Sequence, residues 1–121
     1  MNGKFYNKAF NEKERKYINS SNLSDVGTID NVFLLSGDWN SHGEVNKYFS
    51  NAESMRCKAT EYAVNNGAYV DSDNGYSYWW LRSPNPANSN FVYFVEYDGD
   101  INTYYVICDD RVVRPALWIN L

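Results

Sequence analysis

Residue types that carry readily recognised chemistry are scarce in this chain of 121 residues, which has two cysteines, Cys57 and Cys108, and one histidine, His42. Two thiols do not make a disulfide scaffold. They read as free thiols, with a single bridge between them as the alternative in an oxidising compartment. One histidine supplies no metal-binding or acid–base cluster. No apolar run approaches the about 20 residues that a membrane span needs, so membrane insertion is not expected. No apolar stretch follows Lys4 as a signal peptide would require. As written the chain is therefore expected to be cytoplasmic, or at the cell surface or secreted where it is a fragment of something longer. A glycine-rich phosphate loop is missing, which argues against a nucleotide. Cations are in deficit, 11 against 15 acidic residues, for a net charge of −4. That field repels phosphate backbones and argues against a nucleic-acid partner.

Aromatic residues, at 17% of the chain, are what it has in excess, and eleven are tyrosines. Tyrosine suits strands and half-wet surfaces, where the ring packs and the hydroxyl stays hydrated. The length implies one domain. The spacing predicts short helices in the N-terminal half: Asn2 to Phe10, a second from a capping box at Asn11 and Glu14 through Tyr17 and Ile18, a third from the Ser41-x-x-Glu44 start, and a fourth from Thr60 to Asn66 closed by Gly67. Asn19 to Asn22 reads as a break leading into a loop. Val32 to Leu35 reads as a short buried strand.

Beyond Gly67 the period becomes two. Trp79 and Leu81 fall on one face, with Tyr76, Tyr78, Trp80 and Arg82 on the other. Pro84 to Asn90 reads as a long turn, Phe91 to Tyr97 as a strand, Asp98-Gly99-Asp100 as a hairpin turn, Thr103 to Cys108 as the return, Asp109-Asp110-Arg111 as another turn, and Val112 to Leu121 as a closing strand. The fold class is α+β, with an antiparallel β-meander in the C-terminal half.

Four segments go together in order and spacing: Cys57 to Ala63, Gly67 to Tyr69, Trp79-Trp80-Leu81-Arg82-Ser83-Pro84, and Val113 to Leu121. With the Phe5 to Phe10 opening and the Val32 to Ser36 run, they closely resemble a bacterial domain-of-unknown-function family, numbered 6273, over essentially the whole chain. Ala59 stands where that family tends to have proline. The family is distantly similar to C-type-lectin-like domains, in the branch that includes the formylglycine-generating enzymes, so the resemblance implies a C-type-lectin-like fold. It also implies that upstream strands of the full domain are absent. The last strand would then have lost its usual partner, leaving an exposed sheet edge open to homodimerisation.

The chemistry is sparse. Cys57 and His42 form the one Cys/His pair that could serve as thiol and base, with no supporting motif. The cysteines do not match the paired copper ligands of formylglycine-generating enzymes. Asp71 with Asp73, and Asp98 with Asp100 and Asn102, resemble openings of calcium loops, but the glycine and glutamate that complete an EF-hand are missing; both read as turn chemistry. Neither metal nor cofactor is expected. Trp79, Leu81, Arg114 and Trp118 read as structural. Tyr76, Tyr78, Trp80, Arg82, Asn85, Asn88 and Asn90 read as a ligand-binding surface, because rings stack on a ligand while short polar chains hydrogen-bond to it. The expectation is a non-catalytic module binding carbohydrate or protein. The alternatives are a thiol enzyme using Cys57, or a structural domain of a larger surface protein.

Overall fold

Short local signals govern the helices. A computed structural model describes residues 3–120. In chain order it contains α1 (Lys4–Ala9), α2 (Glu12–Arg15), β1 (Ile18–Asn19), β2 (Ser21–Leu23), β3 (Thr28–Asp30), α3 (Glu44–Tyr48), α4 (Ala52–Met55), α5 (Glu61–Asn65), β4 (Trp79–Asn85), β5 (Asn88–Val95), β6 (Ile101–Tyr105) and β7 (Trp118–Ile119). The capping box at Asn11 and Glu14 is formed. Thr60 caps α5, which ends at Asn66 before a left-handed Gly67. The Ser41 start is corrected: Gly43 is the N-cap of α3, and Ser41 lies outside it at φ 61°. A further capping box, Asn51 with Ser54, opens α4, a helix that the sequence pattern does not predict. Asn2 and Leu121, at the ends of the expected first helix and last strand, lie outside the described residues.

The chain divides into two units, Met1–Leu34 with Pro115–Leu121, and Leu35–Arg114. In the first, β2 and β3 form a hairpin turned at Leu23, whose carbonyl accepts from the backbone N–H of Val26 and Gly27. The break expected at Asn19 to Asn22 is thus mostly strand: its polar residues sit on two-stranded ribbons that lie half in solvent. β1 pairs antiparallel with β7, Ile18 opposite Ile119. The end of the closing strand therefore pairs within the chain, in a ribbon of two strands. Val32 and Phe33 are buried as expected, but Phe33 makes one isolated bridge, to Ala116, in place of a strand.

In the second unit β4, β5 and β6 form an antiparallel meander. Trp79 and Leu81 are buried while Trp80 and Arg82 are less completely so, the alternation the sequence predicts. The turn expected over Pro84 to Asn90 shrinks to Pro86 and Ala87, because β4 carries Pro84 and Asn85 through a register shift. Proline is tolerated at such a bulge, where no ladder N–H is needed. Tyr93, Phe94 and Val95 are all buried, so both faces of β5 are covered there. Val112 lies parallel to Trp79, and its carbonyl accepts from the Trp80 N–H at 3.0 Å. The expected ten-residue closing strand is in fact this bridge, the Ala116 bridge and β7. No helix among the described residues is long and apolar enough to cross a membrane.

Candidate functional site

The residues singled out in the sequence mostly hold the second unit together. The Trp79 indole is fully buried, and its Nε1–H donates to the Met55 carbonyl at 3.0 Å. The Arg114 guanidinium donates to the same oxygen at 3.4 Å and lies over the rings of Phe49 and Trp79, 4.8 and 5.0 Å from their centroids. One orphan carbonyl at the end of α4 is thereby satisfied twice. Arg82 pairs with Glu44, whose carboxylate also accepts from the Ser36 N–H. Leu81 packs in the core. Trp118, in the first unit, is half-exposed beside Asn19.

Tyr78 stacks flat on Tyr69, centroids 4.4 Å apart, and burial, followed by the Tyr69 hydrogen bond, pushes its phenol up to about 12. Trp80 meets Phe94 edge-on. Between these rings lies Arg111, whose sequence context, Asp109-Asp110-Arg111, predicts only a turn. Its guanidinium carbon stands 4.9, 5.6, 4.5 and 4.3 Å from the ring centroids of Tyr78, Trp80, Phe94 and Tyr104. It pairs with Asp110 and donates to Cys108 Sγ at 2.9 Å. Cation–π attraction offsets part of the cost of burying the charge. Tyr76 sits under Arg56 and Lys58. Asn85 and Asn88 accept from the backbone N–H groups of Ala87 and Asn90, which is turn chemistry. Of the seven expected ligand residues, Asn88 and Asn90 are exposed and the others half-buried.

Burial pushes the Asp110 carboxyl up, but the Cys108 thiol donating to it and the adjacent Arg111 charge together hold it below its ordinary value. A carboxyl depressed in the folded state stabilises that state above the unfolded value, about 3.9. The contribution is lost as pH falls through the folded value. In Asp110→Asn this part of the pH dependence is expected to disappear, so that urea midpoints fall less steeply below about pH 4 than in the parent. An acid limb of unchanged slope would show that Asp110 contributes nothing there.

Three stretches of the second unit line a cleft of about 540 Å³, within the usual size of small-molecule sites. Its wall includes Asp38, Trp39 and Ser41 before α3, Asn46 and Phe49 on and after it, Asn51, Ala52 and Met55 at and along α4, and Gly99 to Ile101 from the β5–β6 hairpin. Trp39 is 56% exposed, yet its ring stands nearly perpendicular, at 87°, to that of buried Tyr93 with centroids 5.3 Å apart, which braces it. Burial and the charge of Asp38 raise the Tyr93 phenol. The Asp38 carboxylate accepts from the backbone of Asn40 and His42 and pairs with His42 Nδ1 at 3.3 Å. Asn46 Oδ1 is buried with no hydrogen-bond donor among the described residues. None of the seven expected ligand residues lines this cleft. The signal for Trp39 was there to read: a large aromatic in a polar loop, Gly37-Asp38-Trp39-Asn40, with no apolar periodicity around it.

The remaining candidates have other partners. Cys57 Sγ lies against the Lys58 carbonyl while His42 is held by Asp38, so no hydrogen bond among the described residues joins thiol to base. Asp71 Oδ2 accepts from the backbone of Asp73 and Asn74, as a turn would have it. Glu96, Asp98 and Asp100 bring carboxylate oxygens within 4.8 Å of one another, and Asn102 donates to Glu96. The cluster places a negative potential beside the cleft, whose wall Asp100 shares. The first unit has its own smaller cleft, about 330 Å³, lined by Phe10, Glu14, Tyr17, Ile18, Leu117 and Ile119.

A family model described as Domain of unknown function (DUF6273) matches residues 1–121. No curated protein and no solved structure matches the chain.

Proposed function

The chain belongs to the family described as Domain of unknown function (DUF6273), and within that family we propose that it is a non-catalytic binding module whose ligand is a glycan, held in the cleft beside Trp39. The observation that carries the reading is a half-exposed indole, braced from behind by a buried tyrosine, over a concave wall of short polar side chains. A sugar presents an apolar C–H face that stacks on such a ring, and hydroxyls at its rim that Asp, Asn and Ser can bond. A flat protein partner would make little use of a concave site of this size. The short helices and the late Trp/Arg strand support reading the α+β fold as C-type-lectin-like, as the resemblance implies.

Trp39 is the test. Because its ring is largely in solvent, Trp39→Ala is expected to leave the urea midpoint nearly unchanged. Affinity for any glycan that binds the parent is expected to fall at least about tenfold, the loss typical of an aromatic anchor. Calorimetric titration of parent and variant with hits from a glycan array measures it. Unchanged affinity in the variant would remove Trp39, and with it this reading of the cleft.

A further inference from the structure

The meander has one covered edge and one open edge. On the β4 side, the Trp80 and Arg82 N–H groups donate to the carbonyls of Val112 and Leu35. On the other side β6 ends the sheet. Glu96 N–H donates to Asp100 and Val106 N–H donates to Asn90, so the even-numbered residues of this stretch bond inward to β5. By the alternation of an antiparallel ladder, Ile101, Thr103 and Tyr105 turn their N–H and C=O groups outward. The strand and the two residues after it, Ile-Asn-Thr-Tyr-Tyr-Val-Ile, hold no charge, proline or glycine. Tyr104 to Ile107 are all exposed, Ile107 to 87%. Such an edge invites a further strand. One local device stands against it. Thr103 N–H donates to Asn102 Oδ1 at 2.8 Å, while Asn102 Nδ2 is tethered to Glu96 Oε1 at 3.2 Å.

We infer that β6 is a self-pairing surface for a second copy of this chain, and that Asn102 is the guard that weakens the pairing. An extended edge is complementary to itself when antiparallel, since each outward N–H then meets an outward C=O. Centred on Thr103, the register uses the whole strand: Thr103 faces its own copy, Ile101 faces Tyr105, and Asn102 faces Tyr104. Threonine pairs and β-branched–aromatic pairs are favourable across strands, and no like charges are opposed. The Asp100 residues of the two copies would lie about 20 Å apart along the paired strands. That exceeds the Debye length of about 8 Å at physiological salt. Tyr105 C=O already accepts from Cys108 N–H, but a carbonyl has a second lone pair. The Thr103 N–H has no such reserve, so Asn102 must release it in each copy before the centre can close. A strand of five residues also buries little area, so the pairing is of the weak class that one hydrogen bond per copy can tip.

Sedimentation of the whole chain, parent against Asn102→Thr, tests it. Threonine keeps a strand-forming residue there and removes the amide oxygen. The variant is expected to dimerise with a dissociation constant at least about tenfold below the parent's; tenfold corresponds to about 1.4 kcal/mol. Adding Thr103→Lys, which sets like charges face to face at the centre, should return it to monomer. Hydrogen exchange in Asn102→Thr supplies a reading with no second substitution. The Ile101 and Tyr105 amides should slow as concentration rises, while those of Tyr104 and Val106, already turned to β5, should change little. Equal association of parent and Asn102→Thr, or none in either, would overturn the proposal. A dimer that survives Thr103→Lys, or that protects other amides instead, would place the contact elsewhere and overturn it too.

Discussion

Trp79→Ala is expected to lower stability by about 3–5 kcal/mol, the usual cost of emptying a buried tryptophan site. Three physical losses combine. The indole is 0% exposed, so its whole volume becomes a cavity between β4 and the residues around Phe49 and Met55. Its N–H no longer serves the Met55 carbonyl, which is left with the longer bond from Arg114. Arg114 also loses one of the two rings under its guanidinium. For a unit spanning Leu35–Arg114, each 1 kcal/mol shifts the melting temperature by about 4–8 °C, so a drop of more than about 12 °C is expected. Trp79→Phe keeps a ring but deletes the donor, and should cost less than half as much. Urea titration of both variants against the parent measures the pair. A midpoint that hardly moves in the alanine variant would mean that the β4 core does not depend on this side chain.

That prediction is readable from sequence because Trp79 belongs to a strictly alternating run, and alternation reports burial. The Asn11 capping box and the Thr60 to Gly67 helix were legible for a similar reason: signal and partner lie within a few residues. The failures share the opposite property. Ser41-x-x-Glu44 resembles a capping box, yet Glu44 turns to Ser36 and to Arg82, 38 residues on, a demand no local pattern shows. Arg111 sits in a run of charges that reads as a turn, while its four rings come from positions 78, 80, 94 and 104. Asn19 to Asn22 is polar enough to read as loop, and only its strand partners make it ribbon. The cleft is the extreme case, since its wall comes from three stretches with no shared periodicity. Aromatic and short polar residues could be picked out as ligand-binding types; which of them share one concavity is a property of the assembled meander.

Gly99→Ala should damage stability and the cleft together. Gly99 is buried in the β5–β6 turn at φ 91°, closed by the Asp100 carbonyl accepting from Glu96 N–H at 2.7 Å. A Cβ there would land on the Ala52 carbonyl oxygen, with Ala52 Cα 2.9 Å away. Both obstacles are backbone, so no rotamer change relieves them. The hairpin must lift, or α4 must move. The left-handed conformation costs an alanine about 1–2 kcal/mol, and overpacking adds about 1–3 kcal/mol. A stiffer unfolded chain returns about 0.4–1 kcal/mol. A net loss of about 2–4 kcal/mol is expected from these terms. Gly27→Ala separates them, because Gly27 has φ 74° and nothing within 4 Å of where its Cβ would stand. It should show the conformational cost alone, near 1 kcal/mol. Gly99, Asp100 and Ile101 line the cleft together with Asn51 and Ala52, so the Gly99 variant should also weaken binding of any glycan that the parent is found to bind, at temperatures where it remains folded, whereas Gly27→Ala should keep it. Equal costs for the two substitutions would mean that the hairpin is not pressed against α4, and that the wall of the cleft is looser than this contact requires.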